Sequence, residues 1–529
     1  GLQANALVRL RARLTPPQPQ ALPGTHDFGR DAWFAGLGAT GRALGTVAVL
    51  QPGRPGVLDA TRARLDEHIR SRLEAGAGAI ATALVTGDQG HMPSEDAEAM
   101  RRAGLAHLLS VSGLHIAAAV GAAFLLTLRL LACWPTLALR FNLVLVAAAT
   151  AALAGIGYTL LTGAQVPTVR SCIAAILVLI GVALGREALS LRLIAVGAAA
   201  VLLVRPEALA GASFQLSFAA VTTLVALYAN RHFIRWFERR EEGFPAKLFR
   251  AFGAMLITGL AVEIALMPFA LYHFHKAGLY GVLANLVAIP LTTFVIMPLE
   301  AAALLLDSVG LGGWLWLACG WAIQLLLDLA HLVSGASGAV AMLPTMPPWA
   351  FGAMVFGGLW LCLWTSRPRL LGLFLLLAGA LAAATASRPD LLVTGDGRHV
   401  AVVAGDGTPF ILRERAGDYV RSLLAETSGF DGELPVLPQS EYALCSRDSC
   451  IADLRGGNRT WTLLALRTTQ RIDWAELTEA CRQADIVIAD RRLPRGCTPR
   501  WLKLDSAALR QTGGLALYLD DDPKIRSVA

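Results

Sequence analysis

The sequence predicts a mainly α-helical, polytopic membrane protein with a small N-terminal β domain and a C-terminal α/β domain. Three observations lead there. Apolar residues make up 55% of the chain and charged residues only 16%, and the mean hydropathy of +0.53 lies outside ordinary soluble usage. Apolar runs of near-spanning length recur at 105–133, 141–163, 166–185, 189–204, 209–229, 252–272, 279–306, 312–334, 349–365 and 370–386. Since ~20 apolar residues cross a bilayer, they amount to about ten helices. Both flanks, by contrast, are charge-balanced, with 12 basic and 10 acidic residues in 1–103 and 19 and 20 in 387–529. The domain order is therefore 1–56 (β), 57–103 (amphipathic and linker helices), 104–386 (membrane domain) and 387–529 (α/β).

In the first domain Val8, Leu10, Ala12 and Leu14 alternate with Arg9, Arg11 and Arg13, the period of a half-buried strand with three arginines on one face. Residues 43–50 form a second strand candidate, and the proline-rich TPPQPQALPG between them is loop. Phe28, Trp33 and Phe34 follow that loop. Residues 59–75 then give an amphipathic helix with Leu65, Ile69 and Leu73 in its stripe, suited to a membrane surface or to packing on a bundle. Ser94 reads as an N-cap, with Glu95 and Asp96 in the first turn, Arg101 and Arg102 in the last, and Gly104 closing the helix.

The first apolar run opens with HLLSVSGLHI, residues 107–116. On a continuous helix His107, Val111 and His115 share one stripe, and Ser112 neighbours His115. Gly113 permits a helix break or a close helix contact. Polar groups at membrane depth are costly, so this turn either lines a water-filled path or bonds neighbouring helices. The spacing argues against a metal pair, because two helical turns would hold His107 and His115 roughly 12 Å apart. Farther on, Arg170 sits just inside a helix after Pro167, Ser213 and Gln215 enter the fifth run, and Asn285 precedes a break at Pro290. Arg170 suits phosphate, while Gln215 and Asn285 offer uncharged hydrogen bonds along which a polyanion slides; each equally suits helix packing. Glu263 is an intramembrane carboxyl that reads as paired with a basic group or protonated rather than as a polyanion contact, since a bare one repels phosphate.

The net charge of +7 concentrates in the membrane region, where 15 basic residues face 9 acidic ones. Alternate loops carry Arg140; Arg186 and Arg192; Arg231, Arg235, Arg239, Arg240, Lys247 and Arg250; and Arg367 and Arg369. The opposite loops carry little beyond Arg205 and Lys276. Positive loops stay cytoplasmic, so both end domains belong outside. None of the four lysines sits in a GxxxxGK[ST] loop, so no P-loop motor is encoded.

HLLSVSGLHI, followed in order by GAQVPTVRS (163–171), RPEALAGASFQLSFAA (205–220) and LYGVLANLVAIPL (279–291), resembles the ComEC competence-protein family over most of residues 80–300. That family comprises inner-membrane channels that pass single-stranded DNA into transformable bacteria. The resemblance implies a transport path through His107, Ser112, Gly113, His115, Arg170, Gln215, Asn285 and Pro290. PGTHDFGRDAWFAGLGATG (23–41) resembles the family segment assigned an OB-like fold, which implies single-strand binding by Arg9, Arg11, Arg13 and Trp33. Further membrane spans upstream of Gly1 are also implied. The expected partners are single-stranded DNA, the lipid bilayer, a periplasmic DNA receptor, a cytoplasmic helicase-like motor and single-strand-binding proteins, with no cofactor.

The tail alternates apolar residues over 391–412, then offers a helix near 474–484 and a buried strand DIVIAD, the pattern of an α/β layer domain. By resemblance it stands where the family carries a metallo-β-lactamase-like domain, whose HxHxDH loop holds two metals. His399 is the tail's single histidine, so the expectation is a degenerate domain with no metal site, no catalytic residue and no enzyme activity. Cys445, Cys450, Cys481 and Cys497 leave zinc as a weak alternative. A Cys445–Cys450 disulfide is the expected pairing for a tail outside the cytoplasm. Two rivals to the channel stay open: a secondary transporter of a small solute, which proline-broken helices and Glu263 would also suit, and a nuclease acting on incoming duplex.

Overall fold

A computed structural model describes residues 5–185, 190–238, 243–468, 470 and 472–529, without the side chains of 137 and 138. Arg186, Arg239 and Arg240 of the basic loops lie outside the described residues. In chain order the elements begin with β1 (Leu7–Thr15), α1 (Phe28–Phe34), β2 (Thr40–Gln51), α2 (Val57–Arg72), α3 (Ala75–Thr86), α4 (Ser94–Arg102) and α5 (Ala106–Leu109). The apolar region follows with α6 (Gly113–Ala132), α7 (Pro135–Arg140), α8 (Leu143–Leu161), α9 (Val166–Ala183), α10 (Leu191–Val204), α11 (Ala212–Tyr228), α12 (Arg231–Phe237) and α13 (Phe244–Phe274). After β3 (Lys276–Gly278) come α14 (Gly281–Leu291), a π-helical segment Thr292–Ile296, α15 (Met297–Asp307), α16 (Gly313–Ser334), β4 (Val340–Met342), α17 (Pro348–Leu363) and α18 (Leu370–Ala384).

Each of the ten apolar runs holds a helix. Seven helical stretches are long and apolar enough to cross a membrane, or eight if α11 and α12, bent by 73° at their junction, count as one. The difference between eight and ten lies in α10 and α17, whose 14 and 16 residues fall short of a full span.

The chain divides into two compact units. The first comprises Gly1–Leu10, Val47–Leu266 and Gly278–Ala341. Its main core gathers α3, α4, α14, α15 and α16 around Ile80, Leu84, Met100, Trp316, Ile323 and Leu326. Helix α3 is nearly all Ala, Gly, Thr and small aliphatic residues, and its small side chains let it bury along most of its length. A separate cluster joins α6, α8 and α9 through Val120, Ala148, Ala151 and Leu179. The amphipathic α2 is fastened to this unit by polar contacts. Arg62 donates to the carbonyls of Leu160 and Leu161, which end α8, a cation at a helix C-terminus. His68 bonds Asp307 at 2.6 Å, and the Trp316 indole N–H donates to the same carboxylate.

The second unit comprises Arg11–Thr46, Met267–Ala277 and Met342–Ala529. Here α17 and α18 form a close helical pair, with the Cβ that Gly372 lacks projecting to within 2.5 Å of the Gly357 carbonyl oxygen. The tail continues with β5 (Leu391–Val393), β6 (Val400–Val403), β7 (Pro409–Ile411), α19 (Asp418–Ser428), β8 (Ala443–Cys445), β9 (Ser449–Gly456) and β10 (Arg459–Leu466). It ends with α20 (Trp474–Gln483), β11 (Ile486–Ile488), β12 (Leu502–Leu504), α21 (Ser506–Thr512), β13 (Leu515–Tyr518) and β14 (Lys524–Ser527). Two five-stranded sheets result, ordered β12-β11-β10-β9-β8 and β14-β13-β5-β6-β7. Strands β10, β11 and β12 run parallel, with α20 as the crossover between β10 and β11. Apolar residues of both sheets, including Val393, Val402, Leu463, Ile486 and Leu517, share one core.

Two sequence expectations need correcting. Residues 1–56 are not a self-contained domain: Leu22 is fully buried with Leu392, Ala401, Ile411 and Leu424 of the tail, because an apolar side chain in a proline-rich loop is buried only by docking on a larger core. Nor is β1 half-buried. It pairs with β2 in a two-stranded sheet whose apolar side chains stay exposed, Leu14 at 69% and Leu44 at 52%. Alternation made the strand, but among the described residues no layer backs it, and its sheet holds two strands.

Candidate functional site

The signature does not form one helix. After α5 the chain extends through Ser110–Ser112, and α6 starts at Gly113 with Ser112 as its N-cap at φ −105°, ψ −179°. His107 and His115 therefore sit on different helices, which corrects the shared stripe expected from their spacing. The break has a local cause. His115 occupies the third helical position, and its Nδ1 accepts the Ser112 backbone N–H at 3.1 Å. Glutamate or glutamine usually makes that contact in a capping box. His115 is fully buried and its Nε2 has no partner, whereas His107 is exposed and bonds the Gly104 carbonyl through Nδ1 at 3.1 Å. Gly113 is exposed, and a Cβ there would meet only Ser171 Oγ at an ordinary 3.5 Å. Its part is the break, not a close helix contact.

The motifs that are distant in sequence meet around this break. Thr168 of α9 donates to the Val111 carbonyl at 3.4 Å, and Ser171, one turn on, faces Gly113. Between them Arg170 reaches α11, donating to Ser213 Oγ at 2.7 Å and to the Ser213 carbonyl at 3.2 Å, with its buried Nε unpaired. Gln215 donates to the Leu209 carbonyl at 2.9 Å, across the turn that starts α11. Gly104, at φ +75°, lets α14 approach: a Cβ there would stand 3.2 Å from the Gly281 Cα. On α14 the Asn285 Oδ1 is buried without a partner, and Pro290 precedes the π segment, which touches α6. Glu263 of α13 sets its carboxyl against the start of α14, Oε1 lying 2.8 Å from where a Gly281 Cβ would be.

Arg9, Arg11 and Arg13 lie on the exposed β1, and Trp33 is 80% exposed at the end of α1. Phe28 packs edge-on to Tyr419 of α19, and His26 packs edge-on to Phe28. In the tail, Cys445 bonds Cys450 and Cys481 bonds Cys497. All four tail cysteines are thereby paired. At the C-terminal end of β11, Asp490 pairs with Arg413 at 3.0 Å. His399 is held below the ordinary imidazole range by burial, opposed by Asp396 and reinforced by Arg398 and Arg413. Among the described residues, no three His, Cys, Asp or Glu side chains gather as metal ligands.

Sequence reasoning missed Glu300, Thr292 and the π segment. The available signal was a pair of prolines, Pro290 and Pro298, inside one apolar run with a carboxylate just beyond.

A family model described as "Competence protein" matches residues 84–368, more than half of the chain and the whole set of motifs just assembled. The chain belongs to the competence protein family. It is 33% identical over 236 residues to the uncharacterized protein YcaI of Escherichia coli, covering 44% of this chain and 29% of that protein. With ComE operon protein 3 of Bacillus subtilis it shares 26% identity over 259 residues, 48% of this chain and 30% of the relative. With competence protein ComA of Neisseria gonorrhoeae the identity is 30% over 299 residues, 55% and 40% of the two chains. The chain thus spans 29–40% of the length of these relatives. No solved structure matches it.

Proposed function

We propose that the chain is the channel-forming part of a protein that passes single-stranded DNA across the bacterial inner membrane during natural transformation. The observation that carries this reading is the meeting of the Ser112 break, α9 and α11 around Arg170. A cation bonded to the neutral Ser213 retains its full charge, and so is available to a passing phosphate. The uncharged Gln215 and Asn285 fit a path in which a polyanion is held weakly. Exposed Arg9, Arg11, Arg13 and Trp33 suit a single strand arriving from outside, through backbone attraction and base stacking. With no P-loop in the chain, inward movement requires a cytoplasmic helicase-like motor with single-strand-binding proteins, and arrival requires a periplasmic receptor.

In this reading both end domains are extracytoplasmic. The basic loops support that orientation, and two tail disulfides suit an oxidising compartment. The short α10 and α17 complete a ten-span bundle as tilted or locally thinned crossings. The tail acts as a degenerate metallo-β-lactamase-like domain without nuclease activity, because Asp490 is engaged by Arg413 and His399 stands alone. The test is uptake of labelled DNA by a deletion strain carrying the full-length gene. Arg170→Ala should cut cytoplasmic DNA severalfold while surface-bound DNA and protein abundance stay unchanged. Undiminished entry would remove Arg170 from the path.

A further inference from the structure

Glu300 lies within the span formed by α14, the π segment and α15, yet is only 3% exposed. Its Oε1 has no hydrogen-bond donor, and no basic side chain among the described residues pairs with it. Leaving a buried carboxylate ionised and unpaired costs several kcal/mol (roughly the desolvation penalty per ion). The carboxyl must therefore be neutralised by something that is not a side chain.

The local backbone departs from a regular helix. Pro290 and Pro298 each lack the N–H that a preceding carbonyl would accept, and the π segment Thr292–Ile296 lies between them. Its extra residue also sets the register. Thr292 follows Asn285 by seven residues and Glu300 follows Thr292 by eight, so the insertion keeps all three in line on the buried stripe of Ala284, Ala288, Ile296 and Ala303. Asn285 Oδ1, Thr292 Oγ1 and Thr293 Oγ1 are likewise buried without partners. Unsatisfied oxygens thus recur about every two turns, roughly 11 Å, along one span. Beside Glu300, the Tyr158 hydroxyl of α8 and the Cys319 thiol of α16 lie within electrostatic range. Tyr158 donates its proton to the Leu84 carbonyl at 2.6 Å, leaving the oxygen lone pairs free. The other titratable group on the same helix is Asp307, engaged by His68 and 3.8 Å from Arg72.

We propose that Glu300 is a monovalent-cation site within the membrane domain, holding either a proton on its carboxyl or a sodium ion among its oxygens, the Tyr158 hydroxyl and carbonyls released at the π segment. The stripe of Asn285 and Thr292 is the route by which the cation reaches it. This site stands whether or not the chain conducts DNA.

The experiment uses the purified full chain in nanodiscs and dicyclohexylcarbodiimide, an apolar reagent that labels protonated carboxyls in membranes, with the modified residue located by mass spectrometry. If the cation is a proton, labelling of Glu300 falls about tenfold per pH unit once the carboxyl ionises, and sodium has no effect. If it is sodium, labelling at fixed pH is suppressed saturably when sodium replaces N-methylglucamine. A melting series provides the second readout: the wild-type midpoint depends on pH or sodium, and Glu300→Gln removes that dependence. Labelling at Glu300 that ignores both pH and sodium, no labelling under any condition, or identical dependence in wild type and Glu300→Gln would overturn the proposal. The labelling arm needs only wild-type protein and stands if the variant does not fold.

Discussion

His115 is the residue on which the signature turns. Its spacing from Ser112 was legible in the sequence, but its role was not, because a capping contact is visible only once the helix start is known. Replacing it with alanine removes the acceptor for the Ser112 N–H, worth about 1 kcal/mol, and should lower the melting midpoint and DNA entry together. Glutamine can make the same contact from the third helical position, so His115→Gln should restore both. A restored midpoint without restored entry would mean that the imidazole itself meets the strand. A second residue fixes an acid limit on the tail. Asp505 is buried, which pushes its carboxyl upward, but N–H groups of Leu493, Ala508 and Ala507 outweigh this and hold it below the usual carboxylate range. A depressed carboxyl stabilises the fold fully above its ordinary range and loses that contribution as the pH falls toward its folded value. Asp505→Asn should therefore cost about 1 to 2 kcal/mol at neutral pH and flatten the acid limb of a melting series, the difference from wild type shrinking as the pH falls through the folded carboxyl's depressed value. An unchanged acid limb would show that other groups set it.

At the scale of elements, hydropathy located a helix in each of the ten apolar runs, and period-two alternation located β1 and the first tail strands, β5 to β7. What it could not supply was the partner of each face. The arginine strand looked half-buried because a strand of this pattern usually has a layer behind it, and β1 has none. The buried α3 escaped notice because its small residues give little hydropathic contrast, although small residues are what allow it to sit inside the bundle. The disulfide Cys481–Cys497 joins α20 to a loop 16 residues on, a pairing that only the fold brings together. Helix contacts that depend on glycine are equally invisible in one sequence, yet here they are specific. At Gly372 a Cβ would also stand 3.0 Å from Leu361 Cγ, while at Gly358, on the same hairpin, it would meet nothing within 4 Å. Gly372→Ala should push α17 and α18 apart at a cost of ~1 to 3 kcal/mol, read as a lower melting midpoint, whereas Gly358→Ala should leave it at or above wild type. Equal effects at both positions would mean that the hairpin is not packed this closely.

For the whole molecule, four stretches far apart in sequence were legible as one family pattern, and the fold joins them in space. Thr168 meets Val111, Ser171 faces Gly113, Arg170 holds Ser213, and Gly281 abuts Gly104. The break at Ser112 and the π segment at Thr292–Ile296 lay beyond pattern reading, since both depend on hydrogen bonds that form or fail only in the packed bundle. The proposed path makes a positional demand that no stability measurement can imitate. A photo-crosslinking amino acid placed singly at Ser213, Gln215 or Asn285 of the full-length protein, in cells taking up labelled DNA, should capture single-stranded DNA from each site. The same group at Leu153, a 68% exposed residue of α8, should capture lipid and no DNA. Capture at Leu153 as strong as at Ser213, or none at the three path positions while DNA still enters the cell, would contradict a single-strand path through this bundle.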